Sequence, residues 1–346
     1  MEEKTIIKKD IRNSLKKRLF KKEYSSDKSI LNQIIAFNND DRINYEKLLI
    51  CPICESKRRN VISKYDRYGM FCQNNICLEC GLIYLDPRFD EKSTNIFYQE
   101  HYRGIYNSGG IPKNEIYKEE VKRGERILSF TKTFLKKSNN ILEVGCGMGG
   151  ILSSFAKEGF RCKGIDLGAD YLKINTDKNI ELINAPVFEI KEKFDLIIYS
   201  HVFEHLRDIE KELNYLKNIL TKTGVIYIEV PGIFNLEEPY KYNLKKYFQN
   251  AHNFSFSLEN LTKTLNKYGF ELIKGDQKIR SVFKVGSSDH LEINYNLYDK
   301  IIGYLNKTEF LYTIRPFNYF TIRQSIINLL KYSGLYKLLK KTLKLH

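Results

Sequence analysis

Between about residue 120 and residue 286 short apolar runs alternate with stretches of helical periodicity. "NILEV", "RCKGIDL", "FDLIIYS", "GVIYIEV" and "FELIKGD" have strand length and composition, while "GGILSSFAKEG", "IEKELNYLKNIL" and "LENLTKTLNKYG" read as helices. In the second of these helices Ile209, Leu213, Leu216 and Leu220 recur at helical spacing, whereas "DLIIY" is one continuous apolar run. The alternation predicts an α/β fold, a mostly parallel sheet with helices on both faces. Ligands of such sheets sit at the carboxyl ends of the strands.

The remainder of the chain divides around this region. Residues 1–46 are charged with scattered apolar positions and read as a helical extension, and residues 47–88 as a compact cysteine-bearing unit. Residues 89–134 form a Tyr-rich connector in which "NSGGIP" (107–112) predicts a mobile loop, since "NSGG" does not hold regular structure cheaply. The α/β core is expected over 135–286, and a helical extension over 287–346.

The stretch "NNILEVGCGMGGILSSF" packs Gly145, Gly147, Gly149 and Gly150 into the junction between a strand and a helix. Glycines there allow positive φ and close approach of a ligand to the backbone, and Gly145, Gly147 and Gly150 also satisfy the dinucleotide pattern G-x-G-x-x-G. Glu143, two residues before the first glycine, stands where a dinucleotide would place its pyrophosphate. A carboxylate there repels phosphate but favours a ligand carrying sulfonium and ammonium groups. The alternative role for Glu143 is to cap the loop amides. Asp166 ends the next strand, in position to accept hydrogen bonds from two ribose hydroxyls; a bland surface aspartate is the alternative.

The runs "ILEVGCGMGG", "GIDLGADYL", "FDLIIYSHVFEHLRD", "TGVIYIEVPG" and "AHNFSFSLENLTKTLNKYGFEL" together resemble class I S-adenosylmethionine-dependent methyltransferases. The resemblance implies a Rossmann-like seven-stranded sheet and S-adenosylmethionine as cofactor. By it Glu143, Gly145, Cys146, Gly147, Asp166, Leu167 and Ser200 are cofactor contacts, and the loop "NAPVF", with Ala185, Pro186 and Val187, closes over the adenine. Many relatives carry an acidic residue near position 185 or 186; here backbone contacts from Ala185 to Phe188 have to replace it.

Cys51 and Cys54 form one C-x-x-C and Cys77 and Cys80 another, with 22 residues between them. That spacing predicts a zinc ribbon with a four-thiolate structural site, closed to water and substrate. Cys72 is a competing ligand for Cys77. The segment "CLECGLIYLDPRFDEKSTNIFYQEHY" resembles the amino-terminal region of zinc-ribbon methyltransferases of sugars and secondary metabolites, over about residues 50–102.

Candidate proton-transfer groups are few, because the chain has six histidines. "SHVFEH" places His201, Glu204 and His205 just past "DLIIYS"; if a helix starts there, the i, i+3, i+4 spacing gathers them on one face. His205 is the first choice for a base or acceptor-orienting residue, against a structural hydrogen-bonding role. In relatives acting on phenolic hydroxyls, acidic and His residues at matching positions hold a divalent metal, and His201 in place of an acidic ligand argues against that here. His252 in "NAHNFSFS" is the second catalytic candidate, as relatives that methylate sugar carbons carry histidine in a similar segment, though preceded by Glu where this chain has Ala251. Tyr102, with Tyr98, is expected to face the cleft from the zinc unit, with aromatic packing as the alternative.

The charge balance, 57 Lys+Arg against 42 Asp+Glu and a net +15, changes this picture only a little, since Lys/Ile/Asn/Tyr-rich usage also suggests a biased genome. No apolar run approaches the roughly 18 residues of a membrane span and no secretory signal is evident, so a cytoplasmic location and reduced thiols are expected. The tail "SIINLLKYSGLYKLLKKTLKLH" carries Ile326, Leu329, Leu330, Tyr336, Leu339 and Leu343 beside lysines, which suits peripheral contact with the anionic inner face of a membrane or, equally, packing on the protein's own body. The expected partner is a small-molecule or glycan acceptor from surface-polysaccharide or natural-product assembly. RNA methylation using the zinc unit and basic surface is the second reading, and a noncatalytic scaffold the third.

Overall fold

The computed structural model describes residues 18–23, 25–106, 112–136, 138–168, 172, 177, 179–286, 296–314 and 329–330. The amino-terminal part begins with helix α1 (Lys28–Asn38), whose first turn is capped by the Asp27 carboxylate accepting from the Ser29 amide at 2.8 Å. Short strands β1 (Tyr45–Glu46) and β5 (Arg88–Phe89) pair with each other, and β2 (Arg59–Tyr65), β3 (Phe71–Cys77) and β4 (Ile83–Leu85) form an antiparallel meander. Helix α2 (Glu91–Ile96), a π-helical turn at Phe97–His101, α3 (Tyr102–Tyr106) and the long α4 (Lys113–Thr131) lead to the core.

The core runs β6 (Asn140–Val144), α5 (Gly150–Lys157), β7 (Arg161–Ile165), β8 (Ile180–Ile183), β9 (Phe194–Ser200), α6 (Ile209–Ile219) and β10 (Leu220–Glu229). A short helix α7 (Leu244–Tyr247), strand β11 (Phe254–Ser255), helix α8 (Leu258–Lys267), and the hairpin of β12 (Phe270–Gly275) with β13 (Arg280–Val285) follow, then α9 (Leu297–Thr313). The seven-stranded sheet has the order β12-β13-β10-β9-β6-β7-β8. β6 to β10 are parallel, while β13 is antiparallel to both neighbours. Mostly parallel, with helices on both faces, it is the doubly wound sheet expected from the alternation. Chain order reverses between β6 and β9, which opens a crevice at their carboxyl ends.

Period-two alternation sorts the strands onto two apolar layers. Leu142, Ile197, Tyr199, Ile226 and Ile228 face Leu213 and Leu216 of α6 and Leu261 and Leu265 of α8. Ile141, Leu196, Ile198, Val225 and Tyr227 face Ile151, Leu152 and Phe155 of α5 and Ile127 of α4. Strands buried on both faces are why "DLIIY" is apolar at every turn of the pleat.

The smaller sheet is closed by a strand from far downstream: β11 pairs antiparallel with β4, giving the order β11-β4-β3-β2. α9 covers this region, with Leu297, Ile301 and Leu305 packed among Ile62, Ile76, Ile83, Leu244 and Tyr247. Residues 107–111 of the expected loop, and all of the carboxyl-terminal apolar stripe except Leu329 and Leu330, lie outside the described residues. No helix among the described residues is long and apolar enough to cross a membrane.

Candidate active site

The glycine bend lies in the crevice. Gly145, Gly147 and Gly149 have φ of 72°, 53° and 74°, which L side chains rarely adopt. The Ile165 carbonyl ties the bend to β7, accepting from the Gly145 and Cys146 amides at 2.8 and 3.0 Å. A Cβ at Gly145 would meet Val202 Cγ2 at 2.4 Å, so the next strand's exit loop needs the glycine as much as a ligand does. Cys146 turns its thiol into the core, against Gly164, and offers only backbone to the crevice.

Acidic groups converge on this bend. Asp166 accepts from the Gly147 amide at 2.9 Å through Oδ2 and from the Gly168 amide at 2.6 Å through Oδ1. A carboxylate oxygen accepts more than one bond, so both retain capacity for ribose hydroxyls. Glu143 is 2% exposed, and its Oε2 has no partner. Burial, then Glu120, raises its pKa well above the carboxylate range, Asp166 adding to this while Arg123 and the Leu152 amide oppose it. The partnerless Oε2 lies buried beside the bend, where a cationic group of a ligand would satisfy it. Leu167 is exposed. Ala185 and Val187 are buried and Pro186 half-buried where β8 ends, next to Asp166, whose carbonyl accepts from the Asn184 side chain at 2.8 Å. Ser200 ends β9 with a buried hydroxyl that has no partner. The sequence-predicted cofactor residues therefore share one edge of the sheet, and an open backbone cradle with unpartnered buried oxygens fits S-adenosylmethionine.

The histidines also meet there, though not on a helix. His201 has φ of 57°, its amide donates to the Glu229 carbonyl at 2.8 Å where the pairing of β9 with β10 ends, and only a 3₁₀ turn, Phe203–His205, follows. The expected one-face helix is replaced by three imidazoles around one carboxylate. His201 Nδ1, His205 Nε2 and His252 Nε2 lie 3.6, 3.8 and 3.9 Å from Oε1 of Glu204, which is 1% exposed and has no hydrogen bond on either oxygen. Burial would raise the Glu204 pKa, but the neighbouring imidazoles prevail and hold it below the ordinary value. His205 Nδ1 lies 2.8 Å from both the Ala251 carbonyl oxygen and the Tyr98 hydroxyl, while its Nε2 faces Glu204. The Tyr98 hydroxyl donates to the same carbonyl at 3.1 Å. Burial, with His205 adding to it, lowers His252 to about 3, so that its neutral Nε2 accepts from the Gln249 amide at 2.7 Å. Tyr102 reaches this cluster edge-on, its ring 6.3 Å from that of His205, and also packs on Phe97, Tyr98 and Tyr106.

The four predicted zinc ligands form a compact group, their sulfurs all within 4.8 Å of one another. Cys51–Cys80 and Cys54–Cys77 Sγ separations are 3.7 and 3.4 Å, against about 3.8 Å for the edge of a tetrahedron with 2.3 Å zinc–sulfur bonds. The donor set fits structural zinc. Cys72 is not a competitor: it is buried on β3 beside the Asn74 amide, outside the group.

Residues 117–274 match the family model described as a methyltransferase domain. Over these residues the chain is similar to methyltransferase domains. The chain is 30% identical over 96 residues to a ubiquinone biosynthesis O-methyltransferase of Rhodopseudomonas palustris, covering 25% of this chain and 38% of that protein. It is 30% identical over 105 residues to ajmaline N-methyltransferase of Rauvolfia serpentina, covering 27% and 36%. The chain thus spans little more than a third of the length of these relatives. A solved Burkholderia thailandensis 1,6-didemethyltoxoflavin-N1-methyltransferase, which holds S-adenosylhomocysteine, aligns at 13% identity and TM-score 0.42, covering 63% of this chain and 96% of its own. The plantazolicin methyltransferase structure aligns at 16% identity and TM-score 0.43, covering 62% and 87%.

Sequence spacing groups Glu204 with His201 and His205, but it carries no sign that His252 joins them around this carboxylate. Glu120 escapes sequence reasoning altogether. Glu120 sits on α4 against the glycine bend, its Oε2 3.3 Å from the Gly150 amide. Its helix carries no motif, and only the close crossing of α4 and α5 brings it there.

Proposed function

We propose that the protein transfers a methyl group from S-adenosylmethionine to a small or glycosidic hydroxyl-bearing acceptor, such as a sugar of a surface polysaccharide or a natural product. The observation that carries this reading is the bend itself: Gly145, Gly147 and Gly149 turn backbone to the crevice, and Glu143, buried with a partnerless oxygen where a pyrophosphate would lie, offers a partner to a cationic nucleoside. The bound cofactor supplies a methyl group already activated by its sulfonium. The chain's residues do the rest. Asp166 holds the ribose, Ala185 to Val187 border the adenine, and Gly145 and Gly147 admit the amino-acid tail.

His205 is the base in this reading. Its Nε2 takes the acceptor proton, and the Glu204 carboxylate stabilises the imidazolium that results. His252, neutral and buried beside it, orients the acceptor, while the rings of Tyr98 and Tyr102 form an amphipathic wall of the kind that receives a small polar ligand. Zinc in the four-thiolate site stays out of the reaction.

Purified protein is to be incubated with S-adenosylmethionine and, separately, nucleotide sugars, lipid-linked glycans, small phenolic or polyol acceptors and transcribed rRNA, with S-adenosylhomocysteine as the readout. Turnover is expected with a carbohydrate or small acceptor, and His205→Asn is expected to lower kcat about 100-fold or more while cofactor binding persists. Turnover with rRNA alone would overturn the acceptor class.

A further inference from the structure

Glu120 occupies a place that chain neighbours alone do not explain. Gly124, one turn later on α4, makes the crossing with α5 so close that a Cβ there would meet the Ile151 carbonyl oxygen at 2.4 Å and Ser154 Oγ at 2.7 Å. The Ser154 hydroxyl donates to the Val121 carbonyl at 3.0 Å and fixes the register. Glu120 is thereby set down on the glycine bend: a Cβ at Gly150 would lie 2.5 Å from the Glu120 Cβ, and one at Gly147 would lie 3.2 Å from Oε1.

Every element around it adds a titratable or charged group. Arg123 lies on its own helix, Glu143 at the end of β6, Cys146 in the bend, and Asp166 at the end of β7. Arg103 of α3 approaches the Asp166 side of the crevice at Gly168. Three carboxyl groups, of Glu120, Glu143 and Asp166, meet here beside Arg123, and Oε2 of Glu143 is buried with no partner, so a further cation or a proton is favoured at the bend.

We propose that Glu120 receives the α-ammonium group of the cofactor's amino-acid tail, and that its carboxyl group releases a proton to solvent as the ammonium arrives. This rests on the cofactor reading above. The exchange balances: a neutral carboxylic acid and a –NH₃⁺ group become a carboxylate–ammonium pair plus one proton in water. Burial, with Asp166 adding to it, raises Glu120 to about 7 in the free protein, so near neutrality the proton is there to be lost.

The test uses titration calorimetry of the full chain at pH 7 in buffers of different ionisation enthalpy. Two probes are compared: S-adenosylhomocysteine, which carries the ammonium, and 5′-methylthioadenosine, which does not. The wild type is expected to release about half a proton with the first, more at pH 6 and almost none at pH 8.5, and none with the second. Glu120→Gln is expected to bind S-adenosylhomocysteine about 10-fold or more weakly, with 5′-methylthioadenosine unchanged and proton release abolished. Glu120→Asp, which keeps the charge but shortens the reach, is expected to lose affinity and keep release; exposed Glu115→Gln is expected to match the wild type. Equal affinity and release in Glu120→Gln, or equal weakening of both probes, would overturn the proposal while the cofactor reading stands. A wild type that binds neither nucleoside overturns both.

Discussion

Glu204 is a buried carboxylate without a hydrogen bond, surrounded by imidazoles rather than by arginine or lysine. Imidazole differs from those cations in being able to lose its charge, so the same three rings can neutralise Glu204 or accept a proton. His252 is at the neutral extreme, and its titration has a measurable sign. Its folded pKa of about 3 lies below the ordinary 6.5, so between those values the unfolded chain binds the proton and the folded one does not. Its contribution to stability is complete above pH 6.5 and is lost as pH falls toward 3, by up to about 1.4 kcal/mol per pH unit. Glu204, held below 4.5, adds an acid-sensitive contribution only beneath that value, and Glu120, raised to about 7, tilts the opposite way in both proteins. The stability difference between wild type and His252→Gln, from denaturant unfolding at pH 6.5 and pH 5, is therefore expected to shift against the wild type on acidification. An unchanged difference would mean that His252 is not held neutral by the fold.

At the scale of elements, the loop bearing His252 depends on the zinc unit. β11 pairs with β4 just after it, the Leu85 amide donates to the Asn253 carbonyl at 3.0 Å, and the Asn250 side chain donates to the Phe71 carbonyl at 2.8 Å. The glycine bend, by contrast, is held by β7, α4 and α5. Removing the metal from the four thiols should therefore loosen the acceptor side and spare the cofactor side. Treatment with a strong chelator is expected to abolish methyl transfer while S-adenosylhomocysteine still binds within a few-fold of its original affinity. Loss of both together would show that the sheets do not uncouple.

At the scale of the whole molecule, the first described residue is fastened to α9. Arg18 donates from Nε and Nη2 to the two oxygens of Glu309 at 2.6 Å each, and from Nη1 to Asn243 at 3.0 Å, with its guanidinium 4.1 Å from the centre of the Tyr312 ring. Glu309 is 1% exposed. Arg18→Ala leaves that charge buried and unpaired and is expected to destabilise by about 3 kcal/mol, whereas Arg18→Ala combined with Glu309→Leu should recover much of the loss. Equal unfolding midpoints for the single and double variants would contradict this account.

Much of this protein was legible in the residues because the relevant signals are local. Apolar spacing set the strands and helices of the core, positive φ demanded glycine at the bend, and two C-x-x-C pairs marked the thiolate group whose sulfurs the fold brings together. What spacing along the chain does not carry is convergence between distant segments. His205 and His252 meet only because β11 returns to the zinc-bearing sheet, and Glu120 reaches the bend only because α4 crosses α5 at a glycine. Where a helix starting at His201 was expected, the backbone takes a positive φ and only a 3₁₀ turn follows. Sequence by itself determined the elements and the chemistry available on them, since those follow from each residue and its near neighbours. Tertiary structure alone decided which carboxylates face the bend and which imidazoles share one buried charge, because that depends on how helices and strands far apart in the chain come to be packed.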